Sequence, residues 1–294
     1  MKIVVTGSNG FIGKSLCKSL SSFDLIKPGR NSWSEDWAGV DCIIHLASIV
    51  HQRNLIFQFP LSKYREVNTL YTLNLAKKAM SAGVKRFIFV STIAVNGNFS
   101  HTKYRISPGD IPSPDTYYAI SKWEAEKGLK EITKKSKMEL VIVRPPLVYG
   151  PGVKSNFLTM MKYIRTGLPL PIIYSKKSLV FVGNLTDLLV KLIDHPNAVG
   201  ETFFVSDDED ISLKNLMMNI SKEFGCPINF INIPQKLTIF FFKIIGKEHI
   251  ANSLFKSLLV DIKKTKQLLS WTPPFKFSQG IKITVQSYLD ERQV

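Results

Sequence analysis

Tyr118 and Lys122 set a phenol and an ammonium four residues apart, within Tyr118-Ala119-Ile120-Ser121-Lys122. On a helix, residues at that spacing share a face, so the lysine can lie beside the phenol. A free tyrosine titrates near ~10, too high for acid–base work at neutrality. A neighbouring cation favours the phenolate and draws that pKa down toward the working range. Such pairs also occur by chance on amphipathic helices, so this one takes its meaning from the rest of the chain. Far upstream, Thr6-Gly7-Ser8-Asn9-Gly10-Phe11-Ile12-Gly13 follows a strand pattern and opens a helix. Glycines there let the backbone turn tightly and approach a pyrophosphate, while the helix N-terminus offers N–H donors and the positive end of its dipole. The bland alternative is a plain strand-to-helix turn. Glycines at 7, 10 and 13 are spaced more widely than the usual Gly-x-Gly start.

The elements needed to position these residues are legible over the first half of the chain. Apolar, β-branched runs predict strands at 2–6, 25–27, 41–46, 86–91 and 140–144, and helical patterns fill 11–21, 64–81 and 116–133. Strand–helix alternation with short loops predicts an α/β fold with a doubly wound parallel sheet. Pro145-Pro146 break the pattern, and beyond Tyr149-Gly150-Pro151-Gly152 it becomes irregular. Residues 1–150 therefore read as a dinucleotide-binding core. Residues 151–294 read mainly as a smaller substrate lobe, interleaved with late core elements.

The 294 residues are 45% hydrophobic and 21% charged, an ordinary globular balance. Cys17, Cys42 and Cys226 are too few and too scattered for a disulfide framework or a zinc signature, which points to a reducing, cytoplasmic compartment and no metal. The start of the chain lacks the pattern of a secretion signal. The net charge of +16 invites an anionic partner, but the lysines are dispersed and no nucleic-acid motif accompanies them. Leu237–Ile245 is the most apolar stretch. It fits a buried helix of the second lobe, or a basic amphipathic segment on a membrane surface with Lys236, Lys243 and Lys247 at its margins.

Taken in order, these motifs resemble the extended short-chain dehydrogenase/reductase family over most of the chain. Asp41-Cys42-Ile43-Ile44-His45-Leu46-Ala47-Ser48 looks like the family strand that passes beneath the cofactor, and Val67-Asn68 like the helix whose Asn supports the active site. Val90-Ser91-Thr92-Ile93-Ala94-Val95-Asn96-Gly97 looks like the strand that delivers a catalytic hydroxyl, at Thr92. Arg144-Pro145-Pro146-Leu147-Val148-Tyr149-Gly150-Pro151-Gly152 resembles the segment joining nicotinamide contact to substrate lobe. The resemblance implies a Rossmann-like fold in which Tyr118 exchanges a proton with a sugar oxygen. Lys122 would lower the tyrosine pKa and bind the nicotinamide ribose, and Thr92 would orient the oxygen. Cofactor contacts are implied at Gly7, Asn9, Gly10, Phe11, Ile12, Gly13, Arg30, Leu46, Ala47, Ser91, Tyr118, Lys122 and Pro145. Substrate contacts are implied at Ser48, Thr92, Asn156 and Lys177. In many relatives helices matching 64–81 and 116–133 pair two subunits, implying a homodimer.

Two departures bear on the cofactor. Aligning Asp24–Gly29 on the second strand puts Gly29 where NAD enzymes carry an acid for the ribose 2′-OH, and Arg30 follows. A missing acid beside an arginine favours NADP(H) over NAD(H). The stretch 31–40 is also too short for the usual strand and helix, so one element is shortened or lost.

The second lobe is most similar to enzymes acting on UDP-linked N-acetylhexosamines in surface-polysaccharide and O-antigen synthesis. Among them the match is nearest to reductases converting UDP-4-keto-6-deoxy-GlcNAc to UDP-N-acetylquinovosamine. UDP-sugar and polyprenyl-diphosphate-GlcNAc 4-epimerases are close alternatives. Leu147 replaces an Asn that many sugar epimerases use, and Asn184 stands where Asp is commoner. Some members bind NADP only as sensors, and these typically lack the Tyr or Lys.

Overall fold

The computed structural model describes residues 1–29, 37–50, 59–97, 100, 104–244 and 254–291, apart from the side chains of Thr238, Phe241 and Phe242. In chain order the first half gives β1 (Lys2–Thr6), α1 (Phe11–Ser19), β2 (Asp24–Ile26), β3 (Cys42–His45), α2 (Leu61–Tyr64), a π-helical turn (Arg65–Leu70) and α3 (Tyr71–Ser81). β4 (Arg86–Val90), α4 (Tyr117–Thr133), β5 (Glu139–Arg144) and β6 (Leu147–Tyr149) follow. The second half adds α5 (Ser155–Arg165), β7 (Leu170–Pro171), β8 (Lys176–Phe181), α6 (Val182–Lys191), β9 (Thr202–Phe204) and β10 (Asp210–Ser212). Its last elements are α7 (Leu213–Phe224), β11 (Phe230–Ile231), α8 (Gln235–Ile244), α9 (Lys263–Leu269) and α10 (Phe277–Asp290).

Six parallel strands form the central sheet in the order β2-β1-β3-β4-β5-β9. β3 and β4 are buried along their whole lengths, because helices cover both faces and every side chain meets packing. One face packs α1 and α6 around Leu16, Leu20, Leu185 and Leu189. The other packs α3 and α4 around Leu75, Ala76, Ala125 and Leu129. The chain thus has the expected Rossmann-like, doubly wound fold.

β2 is the edge strand among the described residues. It is one residue earlier than expected and ends at Ile26. Arg30 and the segment 31–36 lie outside the described residues. Asp24 pairs with Lys2 at the start of the sheet, away from the glycine loop.

A second sheet, β10-β8-β6, carries the lobe beyond β5, with β6 parallel and β10 antiparallel to β8. β9 returns to the main sheet beside β5. A buried polar joint stitches these pieces together. Asp207 accepts from Tyr149 Oη, Phe181 N and Asn184 Nδ2, each at 2.7 Å. Asn184 Oδ1 in turn accepts from Phe275 N at 2.8 Å. An Asp at 184 would set a second carboxylate against Asp207, so the amide at that position has a physical reason.

α8 corrects one reading of Leu237–Ile245. The stretch is helical over Gln235–Ile244, yet Leu237, Phe240 and Ile244 are 59%, 62% and 67% exposed. Among the described side chains of the helix, that apolar stripe is therefore not buried.

Candidate active site

The glycine loop sits where β1 feeds α1. Gly7 has φ +71°, and a Cβ there would lie 2.8 Å from Ala47 N. A Cβ on Gly13 would lie 2.2 Å from Gly7 O. Side chains are excluded at both positions by backbone rather than by movable atoms, so the loop stays low and open to a close-lying ligand. Gly10 caps α1 without a side-chain bond to its first turn, so Asn9, Gly10, Phe11 and Ile12 stand at a helix N-terminus suited to a diphosphate. A cleft of about 1080 Å³ opens beside this loop. Its walls include Ser8, Asn9, Phe11, Lys14 and Lys27 on one side and Gly150–Lys154 on the other; Tyr118, Thr92 and Lys122 do not line it.

Across the sheet's C-terminal edge, three hydroxyls meet. Tyr118 lies in the first turn of α4, which Thr116 caps by accepting from Ala119 N at 3.2 Å. The hydroxyls of Ser48, just past β3, and Thr92, just past β4, both hydrogen-bond the Tyr118 phenol. Thr92 Oγ1 also accepts from Ala94 N at 3.3 Å, which fixes its rotamer. Ile93 N donates to Pro145 O at 3.0 Å, so Pro145 flanks the same loop. Ser91 Oγ beside it is buried, with no hydrogen-bond partner among the described residues. Leu46 and Ala47 stand against Thr6 and Gly7, Leu46 N donating to Thr6 O at 3.2 Å.

The electrostatics differ from the sequence expectation in one respect. Burial pushes the Tyr118 pKa up to about 12, against the lowering pull of the Ser48 and Thr92 bonds. In the protein alone, desolvation outweighs any help from Lys122, and the phenol is protonated at neutral pH. Lys122 is itself buried, with Nζ 4.0 Å from the centroid of the Phe89 ring. Desolvation draws its pKa down to about 7, with Glu126 one turn further along α4 pulling the other way. Glu126 is engaged by Arg144, whose Nε donates to it at 2.9 Å, and Arg144 Nη1 reaches Asn96 Oδ1 at 2.7 Å.

Asn68 fixes the frame. It lies in the π-helical turn, where the extra residue per turn redirects side chains. Its Oδ1 accepts from Ile49 N at 2.9 Å, and its Nδ2 donates to Ile49 O and to Ser121 Oγ, each at 3.0 Å. Ser121 Oγ donates to Tyr118 O at 2.7 Å. One amide therefore locks the strand end bearing Ser48 to the helix turn bearing Tyr118.

A second chain of bonds runs beneath. Thr72 Oγ1 donates to Asn68 O at 2.8 Å, so it accepts from His45 Nε2 at 2.8 Å. His45 Nδ1 is left to accept from Thr6 Oγ1 at 2.6 Å. A neutral, Nε2-protonated imidazole satisfies every partner, and burial holds the His45 pKa well below its usual value. Sequence reasoning assigned no role to His45, Phe89, Glu126 or Arg144. Glu126, four residues beyond Lys122, was the one signal available.

Two expected substrate residues stand apart in the second lobe. Asn156 is exposed in the first turn of α5. Lys177, on β8, donates to Lys256 O, and desolvation lowers its pKa to about 8.

The family model described as NAD dependent epimerase/dehydratase family matches residues 22–206. A protein of Vibrio cholerae named UDP-glucose 4-epimerase is 38% identical, over 98% of this chain and 95% of its own. The N-acetyl-alpha-D-glucosaminyl-diphospho-ditrans,octacis-undecaprenol 4-epimerase of Escherichia coli O157:H7 is 26% identical, over 97% of this chain and 94% of its own. The fold matches a UDP-glucuronic acid 4-epimerase from Bacillus cereus in complex with NAD, at TM-score 0.79, 20% identity and 99% coverage of both chains. It also matches RMD from Pseudomonas aeruginosa complexed with NADPH, at TM-score 0.78 and 19% identity, over 98% of this chain and 99% of that one. On the family model and the Vibrio relative together, the chain belongs to the NAD-dependent epimerase/dehydratase family of extended short-chain dehydrogenases/reductases.

Proposed function

We propose that the chain reduces the C4 ketone of a UDP-linked N-acetylhexosamine, with UDP-4-keto-6-deoxy-GlcNAc as the substrate and UDP-N-acetylquinovosamine as the product. The observation carrying this reading is the meeting of the Tyr118, Thr92 and Ser48 hydroxyls at the C-terminal edge of the sheet, with Lys122 one turn along the same helix. A half-buried phenol whose pKa is raised by desolvation is an acid ready to give a proton to a ketone oxygen as that oxygen gains charge. Thr92 and Ser48 then serve the same oxygen as donors and fix its position. Lys122 stabilises the phenolate left behind, its cation lying over the Phe89 ring and favoured by the charge of Glu126.

A nicotinamide dinucleotide, when bound, supplies the hydride. The residues suited to hold it are Gly7, Asn9, Gly10, Phe11, Ile12 and Gly13 at the diphosphate. Leu46 and Ala47 follow beside the loop, and Ser91, Lys122 and Pro145 stand at the nicotinamide end. Among the described residues no carboxylate directly follows the end of β2, and this supports NADPH. Ile26 ends that strand, and Lys27 follows it into the cleft wall. A 2′-phosphate suits such a position better than a 2′-hydroxyl.

The second reading is 4-epimerisation, favoured by the names of the Vibrio cholerae and Escherichia coli relatives. That reaction oxidises and re-reduces one sugar, so it consumes no reductant. The purified protein is expected to oxidise NADPH only when a 4-keto sugar nucleotide is added. Interconversion of UDP-GlcNAc and UDP-GalNAc without net NADPH consumption decides for the epimerase.

A further inference from the structure

The second lobe ends in a surface that the chemistry above does not use. Along α8, Leu237, Phe240 and Ile244 fall at i, i+3 and i+7, one stripe of the helix, and all three are exposed. Lys236 and Lys243 fall beside that stripe and are exposed as well. Upstream in sequence, Ile231 on β11 is 43% exposed and paired with Pro171. Tyr174, at 77%, stands three residues beyond that pairing.

The sequence around these exposed apolar groups is basic. Residues 151–186 carry Lys154, Lys162, Arg165, Lys176 and Lys177 and no Asp or Glu, and 224–244 carry two lysines and no acid. The acidic run at Asp207–Asp210 is largely engaged elsewhere. Asp207 is buried under Tyr149, Asp208 pairs with Lys266, and Asp210 pairs with Arg105. An apolar stripe rimmed by lysines, on a strongly basic chain, matches a surface that is apolar below and anionic above. Among the described residues no helix is long and apolar enough to cross a membrane.

We propose that α8 docks the protein peripherally on an anionic lipid bilayer, with Leu237, Phe240 and Ile244 entering the acyl boundary and Lys236 and Lys243 meeting the headgroups. The docking is independent of which sugar the enzyme takes or in which direction it works.

Flotation of the full chain with phosphatidylcholine vesicles, with and without phosphatidylglycerol, tests this. The wild type floats with the phosphatidylglycerol vesicles, and added salt weakens the association. Each reversal at Lys236→Glu or Lys243→Glu changes the charge by two units and lowers partitioning about thirtyfold. A triple Leu237→Ser, Phe240→Ser, Ile244→Ser variant loses flotation while keeping the circular dichroism and soluble-substrate turnover of the wild type. The lysine reversals, which leave the apolar stripe intact, keep the test open should the triple variant misfold. The proposal fails if the wild type stays unbound or ignores phosphatidylglycerol, or if both variant sets float like wild type. It also fails if the serine substitutions convert a dimer into monomers in light scattering, since the occupant is then a second copy.

Discussion

Lys122 stands over the face of Phe89 with its Nζ 4.0 Å from the ring centroid, inside the protein rather than at its surface. The ring offers a cation some compensation, but burial still brings the lysine pKa from 10.5 down to about 7. The unfolded chain therefore binds a proton here more readily than the folded one. The stability penalty is absent above about pH 10.5 and grows as pH falls toward 7. Lys122→Met removes the buried cation, leaving Glu126 paired with Arg144. The variant is expected to melt a few degrees higher than the wild type at pH 7 and no higher at pH 10.5, with turnover lost. Thermal scans of the cofactor-free protein across that window check the sign.

Asn68 makes three bonds to Ile49 and Ser121 that no apolar side chain can replace. Asn68→Leu leaves a buried N–H, a carbonyl and a hydroxyl without that partner, a cost of about 2–5 kcal/mol. The change also frees the Ser48 loop from the Tyr118 helix. Chemical denaturation reads the first effect. A fall in kcat exceeding any rise in KM reads the second.

Legibility in the sequence tracked locality. Strands β1, β3, β4 and β5 and helices α1, α3 and α4 follow from apolar runs and 3.6-residue periodicity, to within a few residues at their ends. The π-helical turn at Arg65–Leu70 left no such trace, because one extra residue in a single turn barely alters the apolar pattern. The Tyr118–Lys122 pair was visible by spacing. What it does electrostatically was not, since Phe89 and His45 act on it through space from strands of the sheet. Spacing also misjudged the sign of the phenol's shift, because burial is a property of the fold. The apolar run at Leu237–Ile244 shows the same limit: composition gives its hydrophobicity, and only the fold gives its exposure.

His45 carries a directional prediction. Its neutral, Nε2-protonated form is required by Thr72 and Thr6, and its pKa is held well below 6.5. The stability this arrangement contributes is complete above pH 6.5 and is lost as pH falls toward the depressed folded value. Nitrogen-15 NMR of the imidazole should show one neutral tautomer throughout pH 5–8, a range centred on the free group's titration. His45→Gln, which keeps a donor toward Thr72, should retain more activity than His45→Leu.

Asn184 donates to Asp207 while accepting from Phe275 N. Asn184→Asp keeps the acceptor and turns the donor into a second carboxylate. Like charges then raise one of the two pKa values, and the loss of stability grows as pH rises. The melting deficit against wild type is expected to be largest near pH 8 and to shrink toward pH 4, where a protonated carboxyl can donate again.

The account rests on Tyr118 giving and taking the proton at the sugar's C4 oxygen. Tyr118→Phe keeps the ring, the helix and the packing while removing the hydroxyl that Thr92 and Ser48 engage. Single-turnover hydride transfer to a 4-keto sugar nucleotide should fall by about 10²–10⁴-fold, with nicotinamide cofactor affinity essentially unchanged. Hydride transfer at the wild-type rate in a variant that binds the cofactor normally would contradict it.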